Sequence, residues 1–144
     1  MRSPMRSLMR VLALVALLGC GSSDASGPIA RIHQFTGCEV PPGAVRVHEN
    51  VGGDETRAVI HVKVVIPKPT LDAFVRSCGF ERDALRTGYD HHPMRPAEPL
   101  VWWNPPDRQL CVGASQSEGA NTREIVVVER DTDFAVYLRA TDGG

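Results

Sequence analysis

The segment from Arg57 to Ile66 constrains the fold more than any other stretch of the 144-residue chain. Apolar residues, most of them β-branched, occupy every second position, whereas His61 and Lys63 alternate with them. Successive side chains of a strand point to opposite faces, so this pattern predicts a central strand with one buried face and one polar face. The apolar face would carry Ala58, Ile60, Val62, Val64 and Ile66.

Four further strands and one helix are predicted around this segment. Alternating apolar residues predict strands at 44–49, 109–115, 122–130 and 134–140, and residues 29–40 are predicted to be an extended lead-in. Helical spacing begins at Thr70 and ends at Cys78, and Gly79 follows as an end signal. The apolar side of this helix would carry Leu71, Phe74, Val75 and Cys78.

The predicted element order is β-β-α-β-β-β, which is typical of an α+β domain. We expect a single antiparallel sheet of about five strands with one short helix packed on one face, because the last three strands are joined by short polar connections. The order of the strands does not follow from the sequence. Residues 88–107 contain five prolines and are predicted to form a long loop, a kind of segment that is usually functional or mobile.

The start of the chain has the order of a secretory signal peptide. Three arginines occur in the first ten residues, and an unbroken apolar run of 8 residues follows at 11–18, too short for the roughly 20 residues that cross a bilayer. The next residues, Leu17-Leu18-Gly19-Cys20, resemble the lipobox of bacterial lipoprotein precursors. This resemblance implies that Cys20 receives a diacylglyceryl group and becomes the first mature residue.

The predicted organisation has three parts: a signal peptide at 1–19, the lipidated Cys20 with a flexible tether at 20–28, and one extracytoplasmic domain at 29–144. Three of the 16 basic residues lie in the leader, so 13 remain against 17 acids and the mature net charge is −4 with histidine neutral. We therefore expect no nucleic-acid partner, because phosphate binding needs clustered cations. The resemblance implies an exported protein held at a membrane by lipid: the periplasmic face of the outer membrane in a Gram-negative host, otherwise the outer face of the cell membrane.

The mature part is also similar to small bacterial lipoproteins that share five short features. These are a Pro-Pro start, a Gly-Gly-Asp turn before a strong strand, a central helical Phe, a Trp-containing loop and a final Val-Tyr strand. Here they are Pro41-Pro42, Gly52-Gly53-Asp54, Phe74, Trp102-Trp103 and Val136-Tyr137. The resemblance supports the predicted element order and implies no activity.

Three cysteines remain after the leader, so at most one internal disulfide is expected in this export-competent chain. Cys78 lies on the apolar side of the predicted helix, whereas Cys111 follows strand alternation and is expected on the other sheet face. This separation leaves Cys38 to pair with either of them. We predict the pair Cys38–Cys111, and buried free thiols are the alternative.

The long loop carries the candidate binding residues. Trp102 and Trp103 are adjacent aromatic side chains that can bind a ligand or partner with little loss of conformational entropy, and Tyr89 lies in the same loop. We expect one indole to cap the core and the other to face solvent.

The same loop contains the only cluster of metal-capable residues in the sequence, at Asp90, His91 and His92. Together with Glu98 they are candidate metal ligands, since zinc and similar ions need three or four convergent ligands. A solvated polar loop is the alternative. On the predicted polar sheet face, His48 and His61 could be cross-strand neighbours, but such residues need no function.

The sequence favours a binding or interaction module in the cell envelope over an enzyme, because no serine or cysteine occupies a recognisable nucleophile motif. Its partners would be the membrane, through Cys20, and an envelope protein or small ligand, with no cofactor. One alternative is a small metal-dependent hydrolase or metal-binding protein that uses Asp90, His91 and His92. Another is a structural envelope protein.

Overall fold

The computed structural model describes residues 27–143, which form one six-stranded antiparallel sheet and two short α-helices. The elements are α1 (Pro28–Thr36), β1 (Val45–Asp54), β2 (Arg57–Pro67), α2 (Leu71–Ser77), β3 (Arg86–Thr87), β4 (Cys111–Glu118), β5 (Asn121–Glu129) and β6 (Asp133–Gly143). The predicted α+β class with a single antiparallel sheet is confirmed, and the two-residue β3 raises the strand number to six. The predicted signal peptide, Cys20 and most of the tether lie outside the described residues.

The strands follow the order β1-β2-β6-β5-β4-β3, so the last strand of the chain lies in the middle of the sheet. β6 pairs with β2 on one side and with β5 on the other, antiparallel in both cases. The first two strands form a hairpin, but its turn lies at Glu55-Thr56, and the predicted turn residues Gly52-Gly53-Asp54 belong to β1. Asp54 Oδ1 accepts hydrogen bonds from the backbone N–H groups of Thr56 and Arg57 across this turn. β2 is therefore an internal strand, as its sequence predicts.

One face of the sheet is covered by the two helices, and we call it the helix-covered face. Helix α2 lies at the predicted position and buries its apolar side, including Phe74, which is only 1% exposed. Past its end, Gly79 adopts a left-handed φ of 86° and the N–H of Phe80 donates to Val75 O at 3.2 Å. This hydrogen bond belongs to a Schellman end, which confirms the predicted helix terminus.

Helix α1 corrects the prediction of an extended segment at 29–40. Pro28 occupies the start of the helix, and Gly37 ends it with a φ of 74° while its N–H donates to His33 O at 2.8 Å. Proline at the first helical position and glycine just after the last are known helix signals. Burial stabilises the helix further, because Ile32 packs into the core of the helix-covered face and is fully buried.

The disulfide joins Cys38 to Cys78, whose Cα atoms lie 4.3 Å apart, so the predicted Cys38–Cys111 pair is wrong. Because α1 folds against the sheet, Cys38 lies in the same core cluster as the end of α2. Cys111 belongs to the cluster on the opposite sheet face, so the predicted separation of Cys78 from Cys111 is confirmed. Cys111 is a buried free cysteine, and burial raises the pKa of its thiol.

Candidate functional site

The second sheet face is covered by the long proline-rich loop, and we call it the loop-covered face. Loop residues Met94, Tyr89 and Trp103 pack against a second apolar cluster on this face. The strands contribute Val65, Cys111, Val126, Val128, Ala135 and Tyr137 to this cluster. The expectation that this face is polar and exposed is therefore wrong for much of its area, since residues 88–110 fold across it.

Side-chain hydrogen bonds attach the loop to the strands. The Nε2 of His61 lies 2.9 Å from Met94 O, and Asn104 Oδ1 accepts hydrogen bonds from Lys63 Nζ at 2.7 Å and from the hydroxyl of Tyr137 at 3.0 Å. Burial lowers the pKa of Lys63 and raises the pKa of Tyr137 to about 12, so the tyrosine is a neutral donor to Asn104 at physiological pH. These contacts hold the two ends of the loop in fixed positions.

Both tryptophans contact histidines of the sheet. The ring of Trp102 stacks on His48 at 5.4 Å between centroids, and Trp103 meets His61 edge-to-face at 5.0 Å. Both indoles are half-buried. Trp103 packs against the apolar cluster of this face, as one tryptophan was expected to do. Trp102 was expected to face solvent but is half-buried against His48. The sequence predicts that His48 and His61 lie on the same sheet face, but it does not predict their contacts with the tryptophans.

A row of polar residues crosses the loop-covered face. In successive strand pairs, Asn50 pairs with His61, His61 with Arg139, Arg139 with Glu124, and Glu124 with Ser115. The row therefore runs across five neighbouring strands at one level. Three of these pairs come from hairpins, but His61 and Arg139 meet only because β2 pairs with β6, which is far away in the chain. No short stretch of the sequence therefore predicts the row.

Charges within the row are paired. Arg139 Nη1 lies 3.2 Å from Glu124 Oε2, whose side chain is 9% exposed, and the hydroxyl of Tyr89 donates to Glu124 Oε1 at 3.4 Å. Burial is the main cause that raises the pKa of Tyr89. The Nε of Arg139 is buried and has no hydrogen-bond partner among the described residues. The predicted binding residue Tyr89 thus supports the row through Glu124.

A groove of about 510 Å³ opens above one end of the row. Its floor includes Asn50, His61 and Arg139, and its far wall is the loop segment from Arg95 to Leu100. The remaining lining comes from the β1–β2 hairpin: Val51, Gly52, Gly53 and Val59. A groove of this size matches the usual volume of ligand sites, and polar groups from three strands and the loop converge on it. Neither tryptophan is among its lining residues, although Trp103 supports His61 from the side.

His61 is the titratable group at the centre of this floor. Burial lowers its pKa, the hydrogen bond to Met94 O acts in the opposite direction, and the positive charge of Arg139 lowers it further. Because a carbonyl oxygen only accepts, we assign the proton of the neutral ring to Nε2, which leaves Nδ1 as an acceptor. His61 therefore contributes hydrogen bonding and no charge to the groove at neutral pH.

This depressed pKa predicts a loss of stability in mild acid. Above about pH 6.5, the pKa of a histidine in an unfolded chain, His61 is neutral in both the folded and the unfolded state. As pH falls below that value the unfolded chain binds a proton that folded His61 resists, so the free energy of unfolding decreases down to the folded pKa. Denaturant titrations of wild type and His61→Gln between pH 7.5 and 5 should show a steeper decrease for wild type. Parallel curves would contradict this assignment, since the two proteins differ only at position 61.

The predicted metal ligands are not brought together. His91 is buried and its Nε2 lies 2.8 Å from Pro106 O, whereas Asp90 Oδ1 accepts a hydrogen bond from the backbone N–H of His92 at 3.1 Å. Glu98 lies on the wall of the groove instead. Over residues 27–143 no three His, Cys, Asp or Glu side chains are grouped so that they could hold a metal ion. The contact of His91 with Pro106 connects two parts of the loop, whereas that of Asp90 is local.

Comparison of the chain with protein-family models, with curated proteins and with solved structures found no match. Between residues 27 and 143, no helix is both long enough and apolar enough to cross a membrane. The groove and the polar row beneath it therefore carry the functional argument.

Proposed function

We propose that the protein is a lipid-anchored cell-envelope protein that binds an envelope protein or a small ligand in the groove of the loop-covered face. The groove carries this proposal, because its polar floor and its loop wall enclose about 510 Å³ at one edge of a rigid sheet. The resemblance of Leu17-Leu18-Gly19-Cys20 to a lipobox supports the anchor. Two or three acyl chains at Cys20 would hold the protein durably at a membrane.

We propose binding and not catalysis because of the chemistry of the lining. Among the described residues that line the groove, none is a serine, threonine, cysteine or lysine that could act as a nucleophile. The ring of His61 is fixed by Met94 O, and the guanidinium of Arg139 is fixed by Glu124. The fixed hydrogen-bonding groups of His61 and Arg139, together with the large opening of the groove, are suited to binding a ligand without changing it chemically.

A photo-crosslinking experiment in intact cells tests this function. We expect p-benzoylphenylalanine in place of Ala97, an exposed residue of the groove wall, to give a discrete adduct after irradiation. The same substitution at Ala84, an exposed alanine of the 3₁₀ turn Arg82–Ala84, should give none. In the same cells, Cys20→Ser should move the protein out of the membrane fraction and abolish its labelling by palmitate.

A groove-filling variant makes the crosslinking result specific. Gly52 has ordinary backbone geometry, and a Cβ there would meet only Asn50 Oδ1, at 3.9 Å, so Gly52→Trp should fold and occupy the groove. It should remove the Ala97 adduct, whereas Ser117→Trp at an exposed site near the other sheet edge should leave it unchanged. An adduct that survives Gly52→Trp, or one equally strong from Ala84, would exclude the groove as the binding site.

A further inference from the structure

We propose that the occupant of the groove is an extended peptide segment that adds to the free edge of β1 and places an acidic side chain beside Arg95. The inference rests on the proposed binding function and names its ligand class. It is carried by three independent features of the described residues: an unpaired strand edge, an open position at Gly52, and the exposed guanidinium of Arg95 on the groove wall.

The unpaired edge is the outer side of β1. β1 is the first strand of the sheet and pairs only with β2. Residues Asn50–Asp54 are all exposed, and among the described residues their backbone groups make no hydrogen bond with any segment other than β2. Such a row of free N–H and C=O groups is a template for another strand. The opposite end of the sheet also has an open edge, because among the described residues the two-residue β3 pairs only with Val112 and Gly113 of β4, but Ser115–Glu118 of β4 do not line the groove.

The groove reaches this edge. Backbone or side-chain atoms of Asn50, Val51, Gly52 and Gly53 all line it, so a strand added to β1 would lie along its mouth. Alternate side chains of that strand would point to the loop-covered face, as Asn50 does. One of them would therefore enter the groove above Asn50, which Arg95 also lines.

The two glycines differ in what the fold requires of them. At Gly53 the φ is +109° and a Cβ would lie 1.9 Å from Arg57 O, so the hairpin needs glycine there. At Gly52 the φ is ordinary and the nearest atom to an added Cβ is 3.9 Å away, so the hairpin does not need it. Glycine inside a strand weakens it and often marks close approach of a ligand or another backbone. Gly52 keeps the entrance of the groove open.

The charge of the groove selects an acid. Arg139 is held in place by Glu124, which neutralises it in part, and its buried Nε lacks a partner among the described residues. Arg95 on the opposite wall is exposed, and its side chain makes no hydrogen bond or ion pair within residues 27–143. Among the described residues of the lining, Glu98 is the one carboxylate and His61 is neutral, and Arg139 is already paired with Glu124, so Arg95 is the guanidinium that an incoming acid would meet. A carboxylate beside Arg95 would make charge-assisted hydrogen bonds.

The test uses the full chain, ¹⁵N-labelled and solubilised in detergent micelles, with two synthetic peptides as probes. One is an acetylated and amidated heptapeptide of alternating threonine and valine with glutamate at its centre, and the other has glutamine there. We expect the glutamate peptide to shift the backbone amide signals of Asn50–Asp54 and to bind about tenfold more tightly than the glutamine peptide. Arg95→Glu should abolish this preference, whereas Arg108→Glu, an exposed arginine outside the groove, should change the affinity by less than about twofold.

Three results would overturn the inference, and each is separable from the crosslinking result. Equal affinity for the two peptides would exclude recognition of an acid. Amide shifts on β4 or around Arg108, with none on β1, would exclude addition to the β1 edge. An absence of shifts with either peptide at millimolar concentration would exclude a peptide ligand of this kind, while a discrete Ala97 adduct would still support the proposed binding function.

Discussion

Removing the disulfide with the double substitution Cys38→Ala/Cys78→Ala should lower the free energy of unfolding by about 4 kcal/mol. The two cysteines are 40 residues apart in the chain, and a cross-link that closes a loop of this length restricts the unfolded ensemble by about that amount. Both side chains are also buried in the core of the helix-covered face, so their removal loses packing contacts. Urea unfolding followed by circular dichroism measures the effect.

Cys111→Ala is the matched control, because it removes a buried cysteine that forms no disulfide. Its expected cost is about 1 kcal/mol, the usual size of a small change in a core. Peptide mapping of the unreduced protein should recover Cys38 linked to Cys78. A Cys38–Cys111 linkage, or equal losses for the two variants, would contradict the structure.

Phe74→Ala should cost about 3 to 5 kcal/mol of stability, the range measured for fully buried aromatic side chains. Phe74 lies at the centre of the α2 side that faces the sheet, is 1% exposed, and belongs to the larger of the two core clusters. Its removal would leave a cavity between helix and sheet that neighbouring side chains can fill only in part. The free energy of unfolding from urea titration, with an unchanged m-value, gives the cost.

Phe35→Ala provides the comparison for this prediction. Phe35 packs at the margin of the same cluster and is only half-buried, so the loss should be about 1 kcal/mol. A Phe74→Ala cost as small as that of Phe35→Ala would mean that α2 does not anchor the core. The pair therefore separates the central position of Phe74 from a general effect of losing a phenyl ring.

Local sequence patterns predicted those strands and helices in which the buried residues recur at the spacing of a strand or of a helix. β2 alternates because one of its faces is buried under the helices, and α2 shows helical spacing because it has one apolar side. The glycine-ended terminus of α2 was predicted for the same reason, since its hydrogen bonds are local. Helix α1 was missed although Pro28 and Gly37 mark its ends, because its apolar residues were interpreted as an extended segment.

The candidate site could be predicted only in fragments. Tyr89, Trp102 and Trp103 were singled out, and the structure places all three on the loop-covered face, but none lines the groove. Asn50, Arg139 and Glu124 are not predicted as site residues, because each is one of several polar residues in its own strand. Their meeting depends on strand order and register, which the sequence does not encode in any short stretch.

The sequence by itself determined the antiparallel strands and the helix α2 with its end, because each depends on contacts or spacings within about ten residues. The lipobox-like segment at Cys20 stays a prediction. Only the tertiary structure decided the insertion of β6 between β2 and β5, the Cys38–Cys78 disulfide and the polar row beneath the groove. The physical reason is the same for all three. Each joins residues far apart in the chain, and their free energy depends on how the whole chain covers both faces of one sheet.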